Sequence, residues 1–203
     1  MSFDTVTSAV DCAKKIMEIY NFVITPDIEF RIGISAGIPV TDKESIFEDT
    51  IKMADRLCDT TIKNIAVSSE VKDLYESENL NIELSGEFLN VLNSSEERFI
   101  NSLMDYIEKE WNNPTLSIDY FTKELGISKS QFYRKMIATT GKSLNVFLKE
   151  YRLIKALNLL NKNDENISEI AFQTGFNSPA YFSKRFQEVY GILPSVYSKQ
   201  NTQ

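Results

Sequence analysis

The pattern of apolar and polar positions changes near residue 94. Before that point, helical stretches alternate with short strand-like runs, such as the segment in which Phe30, Ile32 and Ile34 alternate with other residues. After it, the strand-like runs disappear. The spacing of apolar residues there predicts seven helices, near 96–111, 117–125, 128–140, 143–161, 167–174, 178–190 and 194–198. We therefore expect an α+β domain at 1–93, followed by an all-α domain at 94–203.

Local signals organise the N-terminal part. They predict a helix over "TVTSAVDCAKKIMEIY", a strand that turns at Gly37 and Pro39, a helix over "SIFEDTIKMADRLCDTT", a short strand at "IAVSS" and a helix at "SEVKDLY". The run "NSS" follows. We expect Ser94 or Ser95 to cap the first helix of the all-α part, because serine side chains accept hydrogen bonds from the free N–H groups of a helix start.

The all-α part contains an internal repeat. The first copy carries these spaced positions: Ile118, Gly126, Phe132, Met136 and Gly141. The second copy keeps almost the same spacing, with one residue inserted after its first glycine: Ile167, Gly175, Phe182, Phe186 and Gly191. In both copies a short helix ends at a glycine, where φ > 0 is expected, and a second helix follows. Each copy therefore predicts a helix-turn-helix.

The second helix of each copy has a polar outer face that carries one long cation. We advance by about 100° per residue from the phenylalanine at 132 or 182. The outer faces then contain Ser130, Gln131, Tyr133 and Arg134 in the first copy, and Ala180, Tyr181, Ser183, Lys184 and Gln187 in the second. Such a face suits the major groove of DNA, because small side chains let the helix approach while an Arg or Lys reaches guanine acceptors.

Charge is distributed unevenly along the chain. The net charge is −7, yet residues 1–94 carry 8 basic and 17 acidic side chains, and residues 95–203 carry 14 and 12. Between 128 and 155, seven basic residues face one acid, Glu150. Together with the second outer helix, this basic region supplies the predicted phosphate contacts: Lys129, Lys135, Lys142, Lys149, Arg152, Lys155 and Arg185.

Composition excludes several chemistries. Histidine is absent, which removes His-based catalysis and the commonest transition-metal ligand. Cys12 and Cys58 are too few and too isolated for a disulfide framework, and no kinase or hydrolase motif occurs. No run approaches the about 18 apolar residues of a membrane span. We expect a cytoplasmic protein that is not an enzyme, with no catalytic residue, metal or cofactor.

The C-terminal part resembles the DNA-binding domain of AraC/XylS-type transcriptional regulators. The resemblance covers about residues 96–199 and rests on "LSIDYFTKELGISKSQFYRKM", "FLKEYRLIKALNLL" and "ISEIAFQTGFNSPAYFSKRFQEVYGILPSVYSK". It implies seven helices and two recognition helices in adjacent major grooves, about one duplex turn apart. By position, the resemblance implies that the base-reading residues are Ser130, Tyr133, Arg134, Ala180, Ser183 and Lys184. We add Gln131 and Tyr181 as base-reading candidates because they lie on the same outer faces.

The N-terminal part resembles the second half of a class III nucleotidyl cyclase-like domain. The residues that carry this resemblance are "FRIGISAGIPV" and the later segment "IFEDTIKMADRLCDTTIKNIAVSSEVKDLY". In active members a helical asparagine and arginine stabilise the reacting phosphates, and these positions are Lys52 and Arg56 here. The resemblance implies a truncated ferredoxin-like fold without catalysis, because the strands that carry metal-binding aspartates are missing. We expect Arg56 to lie at the surface and to pair with Glu48, Asp55 or Asp59.

Three functions are compatible with these patterns. The first is a sequence-specific transcription regulator that binds double-stranded DNA and contacts the transcription machinery, with the N-terminal module as sensor, dimerisation or protein-contact domain. The second is a nucleotide-responsive signalling module, and the third is a protein-interaction module that does not bind DNA. A truncated sheet leaves an edge, so we expect a homodimer, or residues beyond this segment, to complete it.

Overall fold

The computed structural model describes residues 1–23, 30–37, 43–80, 82–161 and 166–200, with side chains at all of these except 22–23 and 43–47. Three strands occur in this part of the chain: β1 (Ile32–Ile34), β2 (Ile65–Val67) and β3 (Leu89–Val91). The helices are α1 (Val6–Val23), α2 (Lys43–Thr60), α3 (Ser69–Glu78), α4 (Ser94–Glu110), α5 (Ile118–Leu125), α6 (Lys129–Thr140), α7 (Leu144–Leu160), α8 (Ile167–Gln173), α9 (Pro179–Tyr190) and α10 (Pro194–Gln200).

The chain forms two compact units. The first contains Met1–Met104 and Ile137–Gly141, and the second contains Asp105–Met136 and Lys142–Gln203. All the described strands belong to the first unit, so the predicted change from a region of helices and strands to an all-α region is confirmed. Among the helices that the structure describes, none has the length and apolar character that crossing a membrane requires.

The sheet of the first unit is parallel throughout its described strands. Its order is β1-β2-β3, with Ile32 opposite Ile65 and Ile65 opposite Leu89. Each connection contains a helix, as parallel neighbours require. In the split βαβ of a ferredoxin-like fold, the two strands joined by a helix are separated by another strand, whereas here they are neighbours. The ferredoxin-like, cyclase-like prediction is therefore not supported, and the predicted turn at Pro39 lies outside the described residues.

Apolar side chains from both strands and helices form the core of the first unit. Its buried members are Val10, Ala13, Met17, Ile65, Val67, Val71, Tyr75, Leu84 and Leu89. α2 adds the buried Leu57 and passes very close to β1. A Cβ at Gly33 would lie 2.1 Å from the carbonyl oxygen of Ala54, so only glycine permits this approach.

Two sequence expectations for this unit need correction. The side chain of Asn93, rather than Ser94 or Ser95, caps α4: its Oδ1 accepts hydrogen bonds from the backbone N–H groups of Ser95 at 2.9 Å and Glu96 at 3.0 Å. Arg56 does not lie at the surface. It is 5% exposed, and its Nη1 donates to Asn101 Oδ1 at 2.8 Å.

The seven predicted helices of the C-terminal part are confirmed, each with boundaries within two residues of the prediction. One core cluster joins α7, α8 and α9: Leu153, Ala156, Leu160, Ile170, Ala171, Phe176, Phe182 and Phe186. α8 begins with a capping box, in which the Asn166 side chain accepts from Ser168 and Glu169 while Glu169 accepts from the Asn166 N–H.

Glu78 ties the end of α3 to the start of α1, and its removal should destabilise the first unit. Its carboxylate accepts from the Thr7 N–H at 3.0 Å and the Thr7 hydroxyl at 2.5 Å. These hydrogen bonds lower the pKa of Glu78 from its ordinary value of 4.5. The stabilisation should therefore be complete above the unfolded pKa and be lost as the pH falls through the folded pKa.

The measurement is the melting temperature of wild type and Glu78→Gln against pH. Wild type should melt higher at pH 7, and the difference should vanish in acid. Glu18→Gln, which removes an exposed acid from α1, is the control and should leave melting nearly unchanged. A pH-independent difference for Glu78→Gln would show that the charge of Glu78 is not what stabilises the helix start.

Candidate nucleic-acid interface

The repeat in the sequence is also a repeat in backbone conformation. Gly126, Gly141, Gly175 and Gly191 all have positive φ, between 63° and 76°. Gly126 and Gly175 follow the first helix of each copy, and Gly141 and Gly191 follow the second. Left-handed geometry at these places is easily adopted only by glycine. The predicted turns of both helix-turn-helix units are therefore present.

Buried aromatic rings fix the inner face of each second helix. Phe132 and Met136 in α6, like Phe182 and Phe186 in α9, have no exposed surface. The ring of Phe132 lies 5.5 Å from that of Phe121 in α5. In the second copy, Phe182 lies 5.2 Å from Phe176, which follows the turn. Because one face of each helix is held in this way, the opposite face is directed to solvent.

The first outer face is exposed as predicted. Ser130, Tyr133 and Arg134 all reach solvent, and Tyr133 is 54% exposed. In the part of the chain that the structure describes, the Arg134 guanidinium has neither an ion-pair nor a hydrogen-bond partner. A cation in this state needs to break no internal contact before it binds a base or a phosphate.

Gln131 has a structural role that the sequence reasoning missed. Its Oε1 accepts from the Ser128 N–H at 2.9 Å, while its own N–H donates to Ser128 Oγ at 3.2 Å. This reciprocal pair is a capping box at the start of α6. The pattern S-x-x-Q was visible in the sequence. Gln131 is therefore engaged with the backbone in the free protein.

The second outer face carries paired cations. Ala180, Tyr181 and Lys184 are exposed and Ser183 is half-buried, while Ser178 caps the helix by accepting from the Tyr181 N–H. Unlike Arg134, the cations of α9 contact an acid of the same helix. Glu188 lies 4.0 Å from Lys184 Nζ and 2.5 Å from Arg185 Nη1.

The predicted phosphate-binding residues have different surroundings. Lys129 pairs with Asp119 at 2.5 Å, and Lys142 pairs with Glu150 at 2.5 Å. Lys135 is half-buried. The ammonium groups of two others lie over aromatic rings: Lys149 at 5.5 Å from the Tyr181 ring centre, and Lys155 at 4.8 Å from that of Tyr151. The first of these contacts joins α7 to the start of α9.

Comparison with known proteins places residues 121–200 in the family described as "Helix-turn-helix domain". Among solved structures, a transcriptional regulator from Chromobacterium violaceum, described as AraC-type DNA-binding domain-containing, aligns with a TM-score of 0.49 at 25% identity. That alignment covers 55% of this chain and 98% of the other.

Curated proteins are also similar to this chain. "HTH-type transcriptional regulator MtrA" of Neisseria gonorrhoeae is 30% identical over 129 residues, which are 64% of this chain and 41% of that protein. "Histidine kinase P4" of Formosa agariphila is 36% identical over 109 residues, 54% of this chain and 8% of that protein. The chain therefore spans less than half the length of these relatives. The C-terminal half of the chain is an AraC-family helix-turn-helix domain.

Arg152, predicted to contact phosphate, lies inside this AraC-family domain. It is 8% exposed, and it donates from Nε to the Trp111 carbonyl at 2.6 Å and from Nη2 to the Asn113 carbonyl at 2.7 Å. Burial lowers the pKa of the Arg152 guanidinium from its ordinary value. The phosphate role does not fit this position. The sequence spacing did indicate a buried position, because Arg152 lies four residues from both Leu148 and Ala156, which are buried.

Arg152 also meets the turn of the second helix-turn-helix. A Cβ at Gly175 would lie 3.0 Å from Cζ of Arg152 and 2.8 Å from the Asn112 carbonyl oxygen. Glycine at 175 is thus required twice, for its φ of 76° and for this close approach. The guanidinium links α7, the segment after α4 and the second turn of the AraC-family domain.

Replacing Arg152 should destabilise the AraC-family domain without acting on its DNA-facing surface. Arg152→Met removes two hydrogen bonds from a charged donor, to the carbonyl groups of Trp111 and Asn113, which should cost roughly 2–5 kcal/mol. Trp111 is the single tryptophan of the chain, and its carbonyl accepts one of these hydrogen bonds. Its fluorescence during urea unfolding therefore reports on the surroundings of Arg152.

The matched control is Arg134→Met, which removes an exposed guanidinium of the same domain and should change the unfolding free energy by less than about 0.5 kcal/mol. Equal urea midpoints for the two variants would contradict the structural role of Arg152.

Proposed function

We propose that the chain is a sequence-specific, DNA-binding transcription regulator of the AraC/XylS type. The observation that carries this proposal is the repeated unit: a positive-φ glycine, a helix anchored by a buried phenylalanine, and an exposed outer face with one long cation. Small and polar neighbours let such a helix approach base edges, while the cation reaches guanine or phosphate oxygens. The names of relatives such as MtrA agree with it.

The proposed base-reading residues follow from their positions on the two outer faces. They are Ser130, Tyr133 and Arg134 on α6, and Ala180, Ser183 and Lys184 on α9. Gln131 and Tyr181 remain in the interface in a supporting role, because Gln131 caps α6 and Tyr181 contacts Lys149. The proposed phosphate contacts are Lys129, Lys135, Lys142, Lys149, Lys155 and Arg185, without Arg152.

For the N-terminal module at 1–93 we propose a sensor, dimerisation or protein-contact role, with the DNA-binding domain at 94–203. Its described sheet ends in β1 and β3, each paired on one side among the strands described, which favours completion by a second copy of the chain. A nucleotide-responsive role has less support. The arginine that would meet a nucleotide phosphate, Arg56, is buried against Asn101.

Selection from a random pool of duplex DNA tests the proposed function. The protein should enrich a defined sequence, and fluorescence anisotropy should show tighter binding to it than to random duplex. Affinity should fall by roughly 10³ or more between 50 and 200 mM salt if six or more phosphates are engaged. No enrichment together with salt-independent binding would refute the proposal and favour a protein-interaction module.

Arg134 should discriminate between sequences, whereas Lys155 should not. Arg134→Ala is expected to cost about 1–3 kcal/mol at the selected site and much less on random duplex, because a guanidinium that reads a base is lost. Lys155→Ala should weaken binding to both duplexes alike and reduce the salt slope by about 1. Equal losses of Arg134→Ala on both duplexes would reduce Arg134 to a phosphate contact.

A further inference from the structure

The two outer helices differ in whether an acidic residue lies beside their cations on the same helix. α6 carries Lys129, Arg134 and Lys135 and contains no acidic residue. α9 carries Lys184 and Arg185 together with Glu188. In the repeat, Ala138 occupies the position in α6 that Glu188 occupies in α9, since the two copies are fifty residues apart at their closing glycines. The acid is therefore an addition specific to the second helix.

Glu188 lies between the two cations of α9. At about 100° per residue, it falls between Lys184 and Arg185 on the helix circumference. One carboxylate oxygen is 2.5 Å from Arg185 Nη1, and the other is 4.0 Å from Lys184 Nζ. The Lys184 side chain is 73% exposed and that of Glu188 is 42% exposed, so this small network borders the outer face.

The arrangement leaves one donor of Arg185 unsatisfied. Its Nε is buried and has no hydrogen-bond partner among the described residues, although Nη1 is bound by Glu188. A buried donor without an acceptor is unfavourable. A phosphate that drew the guanidinium away from Glu188 would offer acceptors to Nε and to a terminal nitrogen together, because a guanidinium binds phosphate through two parallel hydrogen bonds.

We propose that the Glu188 carboxylate is an internal competitor of DNA phosphate for Arg185 and, more weakly, for Lys184. The inference rests on the proposed function. In the free protein the Glu188 carboxylate is paired with the cations of α9, and a DNA phosphate must displace it to bind them. A surface pair of this kind is weak enough to be displaced. Glu188 therefore lowers affinity for every sequence and makes stable binding depend on additional, sequence-specific contacts.

The test compares Glu188→Gln with Glu76→Gln in the full chain, on the selected duplex and on random duplex over a range of salt. Glu76 forms the same type of i, i+4 pair, with Lys72 in α3 of the N-terminal unit, so its variant changes the net charge equally. Glu188→Gln should bind random duplex roughly 3- to 10-fold more tightly than Glu76→Gln at 50 mM salt. Its salt slope should be steeper by about 1 to 2.

A second variant tests whether Glu188 lowers DNA affinity through Arg185. In an Arg185→Gln background, Glu188→Gln should give less than half of its gain, because the principal cation it released is gone. An undiminished gain would overturn the assignment to Arg185. Equal affinities of Glu188→Gln and Glu76→Gln would overturn the proposal while leaving DNA binding intact.

Two further outcomes are distinguishable. Weaker binding of Glu188→Gln to the selected duplex alone would show that Glu188 reads a base, as a carboxylate does at a cytosine amino group, and would contradict the competitor role. Absence of salt-dependent binding by the wild type would refute the proposed function itself. Thermal melting checks that each variant is folded, as shown by a cooperative unfolding transition.

Discussion

The AraC-family domain depends on one buried guanidinium. Arg152 satisfies the carbonyl groups of Trp111 and Asn113, just after α4, and lies against the turn at Gly175. A buried charge is tolerated only when its donors are matched by acceptors, so this contact fixes where three separate segments meet. The connecting helix α7 is thereby attached both to the end of α4 and to the second helix-turn-helix. The position of the second recognition surface thus follows from an interaction inside the domain.

The two copies of the helix-turn-helix unit have similar buried residues but different exposed residues. Phe132 and Phe182 hold the inner faces in both copies, and the closing glycines share a backbone conformation. The outer faces differ, since Arg134 has no partner among the described residues while Lys184 lies 4.0 Å from Glu188. Packing constrains the buried positions strongly, whereas exposed positions are constrained mainly by what they bind. Two copies of one fold therefore carry different outer faces.

Much of the fold could be predicted from the sequence because helical periodicity reports directly on burial. The buried faces around Phe132 and Phe182, the positive-φ glycines and all seven C-terminal helices are of this kind. The parallel pairing of the three strands was not predicted, although helices between successive strands favour it. The surface position expected for Arg56 was wrong because its partner Asn101 is distant in sequence.

The candidate site was predicted less completely than the fold. Exposure of Ser130, Tyr133, Arg134 and Lys184 followed from the helical wheel. The phosphate role predicted for Arg152 was based on a count of charges, and such a count does not show whether a cation is exposed to water or bound to carbonyl groups. The spacing of Arg152 from Leu148 and Ala156 did indicate burial. Capping by Gln131 and pairing by Glu188 were also detectable as local patterns at three and four residues.

The central claim is that both helix-turn-helix units enter successive major grooves on one side of a duplex. Hydroxyl-radical footprinting on a selected site tests it most directly. The account predicts two protected segments on the same side, with centres about 10 to 10.5 base pairs apart. A single protected segment, or two segments on opposite sides of the duplex, would contradict it.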